Sequence, residues 1–157
     1  MKIFKWILIV IIVLVLALLA YLAYLGIFSG VTVTERRVGP YTLVYEEYTG
    51  PYSGTGPVIG RVYANLKKEG IVTLKGFGIY LSDPKVTPPD KLRSDLGCVL
   101  EEKDVKQAWK LRKEFKVMKW EDKNCIVAEF PIKNNLSYMI GPMKIYPELA
   151  KYLAAKG

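Results

Sequence analysis

From Trp6 through Thr34 the chain carries no charged residue, and within that stretch Trp6–Leu25 (WILIVIIVLVLALLAYLAYL) is apolar on all sides. At about 1.5 Å of rise per residue, Ile7–Leu25 as a helix crosses a hydrocarbon core of roughly 30 Å. A helix buried in a protein core normally keeps a polar stripe; this one has none, and meets no Gly or Pro before Gly26. A cleaved signal peptide is the closer competitor, because Lys2 and Lys5 form a basic leader. Its apolar run would, however, exceed the usual ~7–15 residues, and Ala20 and Ala23 do not make a small-x-small cleavage site. Residues 1–28 are therefore predicted to be an uncleaved anchor, spanning about 7–25, with Trp6, Tyr21 and Tyr24 as interfacial aromatics. By the positive-inside tendency Lys2 and Lys5 keep the N-terminus cytoplasmic and place the domain outside, against the weaker pull of Arg36 and Arg37.

The remainder of the chain, beyond the anchor, is long enough for one domain with a real core. Of 23 Lys and Arg, two precede the span, leaving 21 against 15 acidic residues and a net charge of +6. These charges are interspersed, as in Lys103-Asp104 and Arg112-Lys113-Glu114, which suits a solvated surface attracted to anionic headgroups. No basic stripe with interleaved aromatics is present, so nucleic acid is not an expected partner. The absence of histidine removes Ser-His and Cys-His nucleophile pairs and His-ligated metals. Cys98 and Cys125 form no CxxC; they either pair in an oxidising compartment or act as two small buried hydrophobes.

Residues 29–40 read as a linker. Tyr41–Tyr48 (YTLVYEEY) is rich in β-branched and aromatic residues and predicts a strand, ended by Gly50-Pro51. In Thr55–Glu69 the apolar residues Ile59, Val62, Tyr63 and Leu66 recur at helical spacing, with Thr55 as N-cap, Pro57 in the first turn and Gly70 as the stop. Gly76–Ser82 predicts a second strand, and three prolines keep Asp83–Asp90 irregular. Lys91–Leu100 predicts a third strand with Leu92, Leu96 and Val99 as apolar members, so the segment reads β-α-β-β. Val105–Lys116 predicts a short helix; Phe115–Trp120 and Cys125–Ile132 predict a hairpin across Glu121–Asn124. Leu136–Lys156 has an apolar side but contains Pro142 and Pro147, leaving open one bent helix or two short ones.

Strand, then GPY or GPM, then helix occurs at Tyr41–Glu69 and again at Cys125–Lys156. Together with TLVYEEYTGPYSGTG (Thr42–Gly56), IYLSDPKVTPPDKLRSDLG (Ile79–Gly97) with its Pro88-Pro89-Asp90-Lys91 element, and LSYMIGPMKIYPELAKYL (Leu136–Leu153), this resembles the GyrI-like small-molecule-binding family. Within that family it is similar to the membrane-anchored branch that includes an endoplasmic-reticulum autophagy receptor. The resemblance implies an α+β domain over 41–157, built of two β-α-β-β repeats whose helices flank a groove for amphipathic or flat aromatic ligands. The second repeat is expected to lack its last two strands, where the family commonly carries its acidic groove residue. The receptor's partner-binding tail is not expected either, so that role does not carry over.

Gly54-Thr-Gly56-Pro-Val-Ile-Gly60 sits where a dinucleotide-binding loop would, but its third glycine is one residue late and Pro57 removes an amide, so a tight turn is the better reading. Glu47 and Glu129 lie in strands beside aromatics. Either one, facing an apolar groove, would have a raised pKa and serve cationic ligands or act as a base, with Glu46 then facing the other way; the favoured alternative puts both on the wet face of the sheet, since ionised carboxylates are rarely buried unpaired. The groove candidates are Tyr48, Tyr52, Tyr80, Trp120, Glu129 and Tyr138, with Tyr45 and Tyr146 as further aromatics. No catalytic residue, metal ligand or cofactor is assigned. The expectation is a non-catalytic, single-pass, membrane-anchored module binding an amphipathic or cationic small molecule. The alternatives are a tethered hydrolase of reactive small molecules and an adaptor that recruits a partner protein, or a second copy, through an open sheet edge.

Overall fold

The computed structural model describes residues 2–25, 27–132 and 135–156. It divides into two units, Arg37–Lys123 on one side and Met1–Arg36 with Asn124–Gly157 on the other.

In the Arg37–Lys123 unit, β2 (Tyr41–Thr49), β3 (Gly76–Tyr80), β4 (Arg93–Leu100) and β5 (Lys116–Trp120) form one antiparallel sheet in the order β3-β4-β2-β5. β1 (Thr32–Val38) precedes them and pairs elsewhere. Strand alternation sends Val44 toward one face and Leu43 toward the other, and helix α2 (Thr55–Lys68) covers the Val44 face. Val58, Val62 and Leu66, four residues apart, are the buried stripe of α2. Val62 and Leu66 meet Val44, Cys98 and Leu100 from the strands and Ile71, Leu111 and Phe115 from the connections. Each such side chain contributes about 1.5–3 kcal/mol by leaving water.

The helix begins one residue earlier in its cap than expected. Gly54 is the N-cap, without a side-chain bond, while Thr55 lies inside the helix and its hydroxyl donates to Tyr52 O at 2.8 Å. The chain leaves the helix at Gly70, as its sequence predicts. In β4 the face toward α2 buries Ser94, Leu96, Cys98 and Leu100, and Gly97 is buried on the other face. Val99 belongs to the opposite face and Leu92 precedes the strand, because a period of two cannot place Leu96 and Val99 together. The predicted helix over Val105–Lys116 shrinks to α3 (Ala108–Leu111), preceded by a 3-10 turn at Glu102–Gln107 in which Val105 stays exposed.

The other unit holds α1 (Lys2–Tyr24), β1, β6 (Lys123–Glu129) and α4 (Asn135–Lys156). Ile3–Tyr24 is long and apolar enough to cross a membrane, and none of it is buried against protein. The linker expectation for 29–40 is corrected: Thr32–Val38 is a strand paired with β6, and Arg36 reaches Glu129 Oε1 at 2.5 Å. The expected β5–β6 hairpin is corrected by the same finding, since β5 pairs with β2, placing Trp120 opposite Tyr41, and β6 pairs with β1. Pairing is decided by which edge is free, and the charged run Glu35-Arg36-Arg37 hides β1 from a propensity reading.

α4 is a single helix through both prolines. Pro142 and Pro147 each remove one intrahelical donor. Tertiary ties hold the helix: Ser137 Oγ donates to Leu25 O at 3.5 Å, Lys144 Nζ to Ser29 O at 2.6 Å and Tyr152 Oη to Glu35 at 3.3 Å, and Lys156 pairs with Glu35. Among the described residues one β-α-β-β unit is complete, β2-α2-β3-β4; β6 and α4 begin a strand-helix sequence with no strand pair after it.

Truncating Leu66 to Ala leaves a cavity at the centre of the α2–sheet interface. It is expected to cost about 2–5 kcal/mol in denaturant unfolding of the full chain in detergent, with little change in the slope of the transition.

Candidate functional site

The face of the sheet away from α2 takes the odd residues of β2: Leu43, Tyr45, Glu47. Opposite them on β4 stand Val99, Gly97 and Asp95, and on β3 stand Phe77 and Ile79. Gly97 is paired with Tyr45 on one side and Phe77 on the other. The strands come so close there that a Cβ would lie 1.9 Å from Val44 O, so only glycine fits. The two rings meet across it edge to face, with centroids 6.5 Å apart and an interplanar angle of 67°.

One residue pair further along, Glu47 and Asp95 stand directly opposite each other. Like charges in register repel, and Lys116 on β5 offsets this by pairing with Glu47 Oε1 at 2.5 Å. The two carboxylates respond differently. The Lys116 ammonium holds Glu47 below the ordinary carboxylate range, so it is a poor proton acceptor at neutral pH. Asp95 is pushed upward, first by partial burial and then by the Glu47 charge, with Lys116 and Arg93 only partly opposing this. Two aromatic rings thus stand on the same face as two carboxylates, with Lys116 and Arg93 as the nearby cations. Among the described residues no group of three His, Cys, Asp or Glu could hold a metal ion.

The groove residues expected from sequence fall in several places. Tyr48, Tyr52 and Tyr80 are brought together, but on the α2 side. Tyr48 and Tyr80 flank Ser94 in register, and the Tyr52 and Tyr80 rings are 4.7 Å apart. Their hydroxyls serve the local backbone: Tyr52 Oη donates to Ser82 O at 2.6 Å and Tyr48 Oη to Pro51 O at 3.2 Å. Gly50 and Gly54 leave room for the Tyr48 phenol, which explains the glycines of the turn without a phosphate. Trp120 lies at the far end of β2, opposite Tyr41, with Lys123 Nζ 3.8 Å from its ring centre. Glu129 belongs to the other unit and is exposed and paired with Arg36. The Tyr138 side chain lies outside the described residues. Glu46 turns toward the helix, where Arg61 Nη2 meets it at 2.6 Å, as expected from its neighbour's position.

Phe77, Asp95 and Lys116 escape a reading of the sequence alone. A signal for Asp95 is present, since Asp95-x-Gly97-x-Val99 shares a face by alternation, but only the register shows that this face meets Glu47. Both cysteines are free thiols; burial pushes that of Cys98 up to about 11 and leaves it unreactive.

Two curated proteins align with this chain over 136 residues: the testis-expressed protein 264 homolog of Mus musculus at 25% identity and testis-expressed protein 264 of Homo sapiens at 27%. Each alignment covers 82% of this chain and 42% of the relative, so the chain spans less than half the length of the relatives it matches. No family model matches the chain, and no solved structure matches it.

Asp95 costs stability whenever it is ionised, because its folded pKa lies above the unfolded value near 3.8. The penalty is absent below 3.8, grows as pH rises through the folded pKa and is complete above it. Asp95→Asn is therefore expected to raise the unfolding midpoint of the full chain in detergent by a few degrees at most at neutral pH. That advantage should vanish in scans below pH 3.8.

Proposed function

We propose that this chain is a non-catalytic binding module held at a membrane by α1, and that the Tyr45, Phe77, Glu47 and Asp95 face receives an organic cation with a flat or amphipathic body. The observation that carries the reading is the Glu47–Asp95 pair in direct register beside an edge-to-face aromatic pair, with Asp95 holding its proton more tightly than a solvated aspartate. A bound cation relieves the repulsion that Lys116 and Arg93 offset only in part, so binding gains what folding loses there. The β2-α2-β3-β4 unit supports a GyrI-like plan for this part of the chain. The groove aromatics expected on that plan, Tyr48, Tyr52 and Tyr80, lie on the α2 side and are not part of this cation-binding face. The two basic residues before α1's apolar run support an N-terminus in the cytoplasm and a domain on the far side.

A second reading, a protein-recruiting adaptor, is favoured by one observation. β3 is an edge strand, and beside it Leu74 is 92% exposed, with Val72 and Leu81 also exposed. An incoming strand would find an apolar border there.

Titration calorimetry of the full chain in detergent with tetraphenylphosphonium is expected to give saturable binding, weakened about tenfold by Asp95→Asn and more by the Glu47→Gln, Asp95→Asn double variant. Absence of binding, or binding that both variants leave unchanged, overturns the receptor reading.

A further inference from the structure

α4 carries an apolar surface that, among the described residues of its own unit, is left exposed. Met143, Tyr146, Pro147, Ala150, Leu153 and Ala154 recur at i, i+3, i+4, i+7, i+10 and i+11, which places them in one stripe without a charge. Met143 is 76% exposed, Tyr146 66% and Leu153 54%. The other side of the helix is the one that is tied down, through Ser137 to Leu25 O, Lys144 to Ser29 O, and Tyr152 and Lys156 to Glu35.

We propose that α4 lies with this stripe in the headgroup–acyl boundary of the bilayer that α1 crosses. The inference rests on α1 being the membrane span. The Ser137 bond ties the first turn of α4 to Leu25, the first residue after that span, so the helix starts at the depth where hydrocarbon ends. Phe28, three residues beyond Leu25, is also exposed. Lys144 and Lys151 sit along one margin of the stripe, Lys144 held on Ser29 O and Lys151 on Glu148, and both add positive charge on the side where an anionic headgroup layer would lie. An open groove of about 400 Å³, lined by Ser29, Gly30, Val31, Met143, Lys144, Pro147 and Glu148, runs along that same margin. Pro147 leaves the Met143 carbonyl without its intrahelical donor, which a hydrated interface satisfies and a dry protein partner does not.

The test uses the full chain with Cys125→Ser, leaving Cys98 buried and inert, and single cysteines placed at Met143, Leu153, Ala155 and Ile12 for an environment-sensitive fluorophore. The chain is reconstituted in phosphatidylcholine vesicles with and without phosphatidylserine, and quenched by doxyl-labelled lipid. Met143→Cys and Leu153→Cys are expected to be quenched at least about twofold more than Ala155→Cys on the tied side, and more strongly with phosphatidylserine present. Strong quenching at Ile12→Cys with none at Met143→Cys and Leu153→Cys overturns this proposal while leaving the anchor in place. No quenching at Ile12→Cys overturns the anchor, and this proposal with it. Disulfide crosslinking of Met143→Cys between copies without lipid quenching places a second copy on the stripe and overturns the proposal.

Discussion

The alternation of β2 decides what the Arg37–Lys123 unit can be. This strand is hydrogen-bonded on both edges, to β4 along Thr42–Thr49 and to β5 along Tyr41–Tyr45. Its even residues supply Val44 to the core under α2, and its odd residues carry Tyr45 and Glu47 to the other face. A slip of one residue would bury Tyr45 and Glu47 under the helix and take Val44 out of the core, at a cost no surface contact could offset. Core and candidate site therefore share one register, and Gly97 pins it, because only one position of β4 can pass so close to Val44.

That register explains why the fold is partly legible in the sequence and the site less so. β2 and α2 can be read because Gly50-Pro51 and Gly70 punctuate them and their periods differ, two against nearly four. β1 cannot, because Thr-Glu-Arg-Arg in a two-stranded ribbon has no buried face to leave an apolar trace. The pairing of β5 with β2 rather than β6 is a long-range choice that neither strand records. Glu47 stands out as a carboxylate among aromatics, but its partner Asp95 lies 48 residues on, and only the β2–β4 ladder joins them. Tyr48, Tyr52 and Tyr80 are visible as a cluster, yet parity alone places Tyr48 on the helix side and Tyr45 on the opposite one.

The Glu47–Asp95 pair has the character of a retained liability. A sheet stabilised for its own sake would place opposite charges or β-branched residues across those strands. Here Lys116 satisfies one carboxylate and Asp95 is left half-buried against a like charge, with two rings beside it. On the proposed receptor reading, the stability given up there is the counterpart of a site that meets a ligand's charge. The same argument does not apply to Glu129, whose exposed ion pair with Arg36 contributes little in either direction.

A weak interfacial helix gains force from the span beside it. A stripe of one Met, one Tyr, one Leu, a proline and two alanines would bind a bilayer poorly as a free peptide. Once α1 is inserted, the stripe is held within a few residues of the surface, at an effective concentration on the order of millimolar, and even a weak preference becomes occupancy. Two attachments also remove a freedom that one leaves: a unit held only at Leu25 can swivel, whereas one held at Leu25 and along α4 presents a constant side to the lipid. This explains why α4 tolerates Pro142 and Pro147. Its helicity is secured by ties to Leu25, Ser29 and Glu35 on one side, and the carbonyl freed at Met143 finds donors in the hydrated headgroup layer on the other.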